Sequence, residues 1–523
     1  MIKTDVSVGI NYSTADIKSA VCSHIPVLES EIKNLEIVKK TLKIEEGKPS
    51  YRLTVAIEVG TERECGLLKM KKKCSPYERP SLAVPRASFD SRPIVVGAGP
   101  AGLFCALVLA EAGARPIIIE RGEQVEHRSL TVASFFSGGP LSEESNVQYG
   151  EGGAGAFSDG KLKVGSVDAY KMKVLESFVS AGAPEDIIYT VGSHLGTDKL
   201  PKIVGALREK IIALGGEALF NTRVVDLLLE GGRARGVVCE RAAERFELMS
   251  DRIVFATGHS AEDTLEMLLS KGIPMEQRGF GIGLRIEHER ERIDRLVLGD
   301  GALAASVGTA SYHLVTHLPS GRSVYSFCMC PGGTVVAAAS KRGGIVTNGM
   351  SEQARMADNS NAAHLVSLTP KDFGSEHPLA GIKLQRRIEK AAFALSDSYK
   401  APSISMGEFL GLSASGGIAP SYPVGTVKAA PGEYLPDYVS DSLKAGLYDF
   451  DAWMPGFITE GAVLTGPETR STSPVRVMRG ESFEAAGFAG VYPIGEGAGY
   501  AGGIVSSAVD GVRCAMAMLL SGK

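Results

Sequence analysis

Apolar positions fall into contrasting patterns along the chain. Over residues 1 to about 90, helical patterning runs from about Asp16 to Lys40. Alternation at Val38–Ile44 and Arg52–Val59, clearest in RLTVAIEV, predicts strands. This is the expected pattern of a small α+β domain, and SPYERPSLAVPRASFDSRP reads as the linker that follows it. From Pro93 the texture becomes strand, glycine-rich turn, helix, strand. It continues through a helix over PKIVGALREKIIALG and strands in FNTRVVDLLLE, ARGVVCERA and DRIVFATG. Residues 276 to 480 predict many short strands and turns. The chain closes with strand VYPIG, a glycine-rich turn and a helix from about Gly503 to Leu520. The expected organisation is therefore a domain over 1–90, an α/β domain formed by 91–275 together with 481–523, and a β-rich domain, 276–480, inserted between.

The most specific motif is IVVGAGPAGLFCALVLAEAGARPIIIERG, Ile94 to Gly122. Gly97 allows a tight turn, Gly99 lets backbone approach a pyrophosphate, and Gly102 lets the helix pack on the strand. Pro100 and Ala101 open that helix, whose N-terminus faces the phosphate charge. A second strand ends in Glu120, 23 positions beyond Gly97, close to the spacing of a ribose-binding acid, and Arg121 follows it. Strand, turn, helix, strand and acid in order specify a Rossmann-type dinucleotide-binding unit.

Further features favour FAD over NAD. DRIVFATG runs a strand into the small turn Ala256-Thr257-Gly258, and Val224, in the strand FNTRVVDLLLE, is a further candidate for cofactor contact. VYPIGEGAGYAGGIVSSAVDG repeats the strand–turn–helix pattern at the far end of the chain. There Gly495 and Glu496 are expected at the ribityl chain. Gly502, Gly503 and Ile504 begin a helix whose positive end suits the charge of a reduced flavin. These residues, with NVQYGEGGAGAFSDGKL, GFGIGLRIEH, YSFCMCPGG, VTNGMS and AVLTGPETRSTSPVRV, resemble the bacterial FAD-dependent, or NAD(FAD)-utilising, dehydrogenases with a glutathione-reductase-like FAD domain. The resemblance spans nearly the whole chain and implies cofactor and fold rather than the reaction. Glu496 stands where many flavoproteins carry Asp. A second nucleotide fingerprint is missing, and so is a cysteine pair soon after the first. A transient nicotinamide donor, NADH or NADPH, would then bind without a dedicated Rossmann domain or visit the substrate pocket.

NVQYGEGGAGAFSDGKLKVG is too glycine-rich for regular structure. It is expected to wrap the cofactor through Gly152, Gly153, Gly155 and Ser158, with Asp159 and Lys161 near the ring edge. In GLRIEH, His288 is a candidate acid–base group; a structurally bonded histidine is the commoner outcome. Glu468, Arg470 and Arg476 suit an anionic substrate or the cofactor diphosphate, and a salt-bridge network accounts for them equally well. SVYSFCMC alternates as a strand, setting Ser326, Cys328 and Cys330 on one face. Pro331-Gly332-Gly333 then turns the chain into TVVAAAS as the partner strand of a hairpin. In an extended strand the two cysteine Cα atoms would lie about 6.6 Å apart, which disfavours a disulfide. Further ligands at zinc spacing are lacking. Cys328 and Cys330 are expected to face the flavin, a thiol serving as proton donor.

Composition narrows the function. At 523 residues, 44% hydrophobic and 22% charged, the chain suits a multi-domain globular protein with a large core. A net charge of −4 argues against nucleic acid or anionic membrane as partner. The N-terminus lacks a signal-peptide core, and the eight scattered cysteines suit reduced thiols in the cytoplasm. The expectation is an FAD-dependent oxidoreductase acting on a small-molecule substrate without a bound metal. A second reading is an FAD-binding protein with a regulatory role, engaging a partner through residues 1–90.

Overall fold

A computed structural model describes every residue except 46, 163–166, 300–302, 304–305, 413–416 and 522–523. The last positions expected to wrap the cofactor, 163–165, therefore lie outside the described residues. Three-residue strands build the central sheet, the inner ones buried because both faces are covered and the edge strand Glu217–Leu219 partly exposed. Its order is Val491–Pro493, Ile253–Phe255, Ile94–Val96, Ile117–Ile119 and Glu217–Leu219, with every neighbour parallel. The C-terminal strand thus joins a sheet begun at Ile94, almost 400 residues earlier. Helix Pro100–Glu111 is buried from Ala101 through Ala110, packed between that sheet and helix Ile504–Ser521. Its large apolar side chains, Leu103, Phe104, Leu107, Val108 and Leu109, each contribute about 1.5–3 kcal/mol by leaving water. Helix Ile504–Ser521 is long and apolar enough to cross a membrane, and 72% of it is buried inside the molecule.

The N-terminal sheet is antiparallel, in the order Asn34–Glu45, Lys48–Glu58, Ile2–Gly9, Ser75–Pro76. It has its own core around Val21, Leu53 and Ile57. The helix expected from Asp16 to Lys40 ends at His24. Pro26 follows two residues later, and a proline removes the donor that another turn needs. Asn34 to Lys40 joins the strand instead.

Residues 276–480 hold a seven-stranded sheet ordered Val315–His317, Ser323–Cys330, Asn359–Leu368, Phe280–Glu289, Val463–Glu468, Ala401–Ser405, Thr426–Lys428. The short strands and turns expected here are an incomplete picture. Two strands run ten residues, and helices Ala380–Ala394 and Asp437–Trp453 supply the apolar cover. Phe280–Glu289 is buried at every position but its last, so it shows no alternation. The expected cysteine hairpin is also absent. Thr334–Ala337 pairs with Thr347–Met350, while Ser323–Cys330 pairs with Val315–His317 and Asn359–Leu368. Two different sheets use the strands on either side of Pro331-Gly332-Gly333.

Candidate functional site

The two glycine-rich turns converge on one cavity of about 1420 Å³, its open mouth included. Gly97 has φ of 104°, and a β-carbon there would lie 2.5 Å from the Ala256 carbonyl oxygen. At Gly102 it would lie 1.9 Å from the Gly97 oxygen, so the helix approaches the strand as closely as backbone allows. Glu120 ties the cradle together. Its carboxylate accepts from the N–H of Ala98 at 2.8 Å, Gly122 at 2.9 Å and Gly150 at 3.1 Å. Arg121 lies between Glu144 at 2.6 Å and Asp263 at 3.0 Å, its guanidinium 4.3 Å from the Tyr149 ring centre.

Every cofactor-binding residue expected from sequence borders this cavity except four. Gly102 lies behind the cradle, in the helix–strand contact just described. Gly152 faces helix Leu200–Ala213, where a β-carbon would meet Val204. Asp159 is fully buried and takes Arg355 at 2.9 Å and Lys161 at 3.0 Å, with Ser351 hydrogen-bonded to the same carboxylate. Lys161 also donates to the Met329 carbonyl. Asp159 and Lys161 therefore do not meet the cavity as expected. They tie the glycine-rich loop to the inserted region.

The inserted region contributes a wall that was only partly foreseen. Strand Ser323–Cys330 carries a bulge, with Phe327 opposite Ala363 and Cys330 opposite Asn361. Cys328 occupies the irregularity with φ of 44°, left-handed backbone unusual for a side chain this large. Strict alternation fails there, so the expected Ser326/Cys328/Cys330 face does not exist. Phe327 and Cys328 border the cavity. Ser326 is buried and accepts from the Leu314 N–H at 2.8 Å. Cys330 lies fully buried behind Cys328, its thiol donating to the Cys328 carbonyl at 3.2 Å.

Behind the cysteines sits Arg285, wholly buried. It forms a two-armed pair with Glu468, the Nη2 arm 2.9 Å long. Nη1 donates to Cys328 O at 2.9 Å and Nη2 to Asn348 at 2.8 Å. The neighbouring Cys330 side chain, with Lys161 and Arg285 nearby, draws the Cys328 thiol below its ordinary pKa, against burial. The same interaction, with burial, pushes Cys330 up. Glu496 borders the cavity and makes no side-chain hydrogen bond among the described residues. Burial raises it to about 7, Arg278 opposing.

His288 is not part of this site. It is buried in the inserted region, donates from Nε2 to Phe457 O at 2.8 Å, and borders a separate hollow beside Arg292 and Thr459. Burial holds it neutral by lowering its pKa to about 4, so the expected acid–base role loses its geometric basis. Of the three ionic residues in TGPETRSTSPVRV, Glu468 and Arg470 border the cavity, and Arg476 lies outside it, 3.7 Å from Glu276. Arg470 is paired with Glu389 at 2.6 Å. Sequence reasoning missed Gln148, Tyr149 and Asn348. Their only signal was membership in the motifs NVQYGEGG and VTNGMS.

The cradle fits a dinucleotide on structural grounds. Glycines leave room that a β-carbon would fill, and the buried Gln148 Nε2 and Arg470 Nη1 bordering the cavity have no partner. Comparison with known proteins agrees. Residues 92–148 match the FAD binding domain, and 279–471 match the family described as FAD-dependent protein, C-terminal domain-like. An uncharacterized protein of Clostridium beijerinckii is 41% identical over 520 residues, covering 97% of each chain. Among solved structures, the chain is similar to the flavin-dependent brominase Bmp2, at 11% identity over 84% of this chain and 80% of that one, with a TM-score of 0.38. It is also similar to L-proline dehydrogenase from P. horikoshii, at 12% identity over 84% and 95%, with a TM-score of 0.35. At those scores neither bears on this chain's chemistry. By its domains and its full-length relative, the chain belongs to an oxidoreductase-type family of FAD-dependent proteins, with FAD as cofactor and an α/β, Rossmann-type binding fold.

Proposed function

We propose that the protein is a dehydrogenase or reductase acting on a small organic molecule, with NADH or NADPH as transient electron donor. The observation that carries this reading is the continuity of one cavity from the Gly97–Gly102 turn to Cys328. A cofactor cradle that opens directly onto a thiol and two carboxyls suits redox chemistry better than cofactor storage. When bound, FAD supplies an isoalloxazine ring that accepts or returns a hydride.

The chain's own residues would then bind, orient and move protons. Gly502, Gly503 and Ile504 present the N-terminus of a helix to the cavity, a positive end that favours negative charge. Glu496 is positioned to accept from a ribityl hydroxyl. Phe327 forms an apolar wall, and the Arg285–Glu468 pair fixes the bulge that presents Cys328. Cys328 is the thiol best placed for the substrate, with Cys330 behind it. No second nucleotide fingerprint is found in the sequence, so we place the nicotinamide donor in the same cavity, alternating with substrate. A cytoplasmic location is part of the proposal, since all eight cysteines are free.

Anaerobic titration of the yellow protein tests this. NADH or NADPH should bleach the flavin band within a turnover, and substrate should restore it. Flavin that no donor reduces would overturn the reading in favour of a regulatory FAD-binding protein.

A further inference from the structure

A pair of thiols at the end of the cofactor cavity has more chemistry available than proton donation. The regular-strand objection to bonding them rests on extended backbone, and the backbone is not extended. One extra residue is taken up between Phe327 and Cys330, with Cys328 in left-handed conformation. This shortens the chain between the two cysteines and folds the Cys330 side chain back onto residue 328, its Sγ 3.2 Å from the Cys328 carbonyl oxygen. Such strain persists only where surrounding contacts hold it. Here Arg285 holds the Cys328 carbonyl and Lys161 the Met329 carbonyl.

The two thiols differ in access. Cys328 borders the cavity and is partly exposed, whereas Cys330 has no exposed surface and does not border it. Arg285 Nη1 lies 4.0 Å from Cys330 Sγ. One thiol is placed to attack, the other to resolve.

We propose that Cys328 and Cys330 are a redox-active dithiol that cycles through an intramolecular disulfide and acts on small-molecule disulfides. The Cys328 thiolate attacks one sulfur of R–S–S–R; that S–S bond breaks, R–S⁻ leaves and a mixed disulfide forms. Cys330 gives its proton to the departing thiolate and attacks the Cys328 sulfur. The second R–S⁻ leaves, takes a proton from water, and the Cys328–Cys330 bond remains. Two electrons from the nicotinamide donor, delivered through the flavin, and two protons return both thiols. The Cys328 thiolate is the largest influence keeping Cys330 protonated. That interaction is lost in the mixed disulfide, which lowers the Cys330 pKa at the step that needs it, with burial still opposing.

This inference rests on the proposed flavin reaction, but its test reads the sulfurs directly. Arg322 and Lys341 bracket both cysteines, so trypsin releases them on one peptide, 323–341. The folded protein is equilibrated anaerobically in glutathione buffers of rising potential, alkylated and digested, and its flavin spectrum is recorded. The expected result is a peptide that converts at a single midpoint from doubly alkylated to unalkylated and lighter by two hydrogens. Cys330→Ser should instead trap glutathione on Cys328, while Cys328→Ser should leave Cys330 unreactive in the folded protein. A peptide doubly alkylated even in fully oxidised glutathione would overturn the dithiol, whatever the flavin does. A reversible disulfide in protein whose flavin no donor reduces would uphold the dithiol and overturn only the reductase reading.

Discussion

The cofactor cradle and the inserted wall face the same cavity, yet they were built by different means. The cradle is backbone brought close to backbone. Gly97 and Gly102 matter because they have no side chain, and Glu120 holds three neighbouring N–H groups. The wall is side chains converging from far apart in sequence. Arg285, Asn348, Asn361 and Glu468 meet Cys328 and Cys330 through strands separated by up to 183 residues. One design depends on local spacing, the other on a buried charge that every partner must satisfy.

That difference predicts how each region breaks. The largest effect belongs to the cradle. Gly102→Val places a branched side chain where even a β-carbon would sit 1.9 Å from the Gly97 oxygen. Backbone cannot yield as a side chain can, so the cost is about 3 kcal/mol or more. Purified variant should retain no FAD and unfold at markedly lower urea than the wild type. Retention of stoichiometric flavin would mean that the helix does not pack on the strand as described.

The wall should break by loss of charge balance rather than by overlap. Arg285→Met leaves Glu468 buried without its partner, at a cost of about 3–5 kcal/mol. Arg285→Met combined with Glu468→Leu removes both charges and should recover most of that loss, as urea unfolding of the four proteins would measure. If the double variant is no more stable than Arg285→Met alone, the pair is not the dominant tie.

The same difference explains what could be read from sequence. Ile94 to Glu120 was legible because its requirements are local: a strand, glycines at fixed spacing, a helix and an acid. The C-terminal Gly495–Ile504 turn was legible for the same reason. His288 misled because a histidine in a strand gives no sign of whether its neighbours are solvent or Phe457. Asp159 and Lys161 misled because their partners, Arg355, Ser351 and Met329, lie more than 160 positions away. Helix Ala380–Ala394 does carry a readable stripe, with Gly381, Leu384, Ile388 and Ala392 buried. The bulge was invisible, since SVYSFCMC alternates without a break.

The smallest effect isolates that bulge. Left-handed backbone costs a residue bearing a β-carbon about 1–2 kcal/mol, and glycine nothing. In ordinary extended strand the preference reverses, because glycine loses more chain entropy than alanine, by about 0.5–1 kcal/mol. Cys328 has φ of 44°, whereas Ser326, two residues earlier, pairs regularly with His364. Cys328→Gly should therefore be more stable than Cys328→Ala by about 0.5 kcal/mol, the difference of the two costs. Ser326→Gly should be less stable than Ser326→Ala by a similar margin. Comparing alanine with glycine at each site cancels most of what is lost with the thiol or hydroxyl. Thermal unfolding of the four variants would show the opposite signs directly. The same sign at both positions would mean that Cys328 lies in regular strand, and with it the geometry that brings the two thiols together would fall.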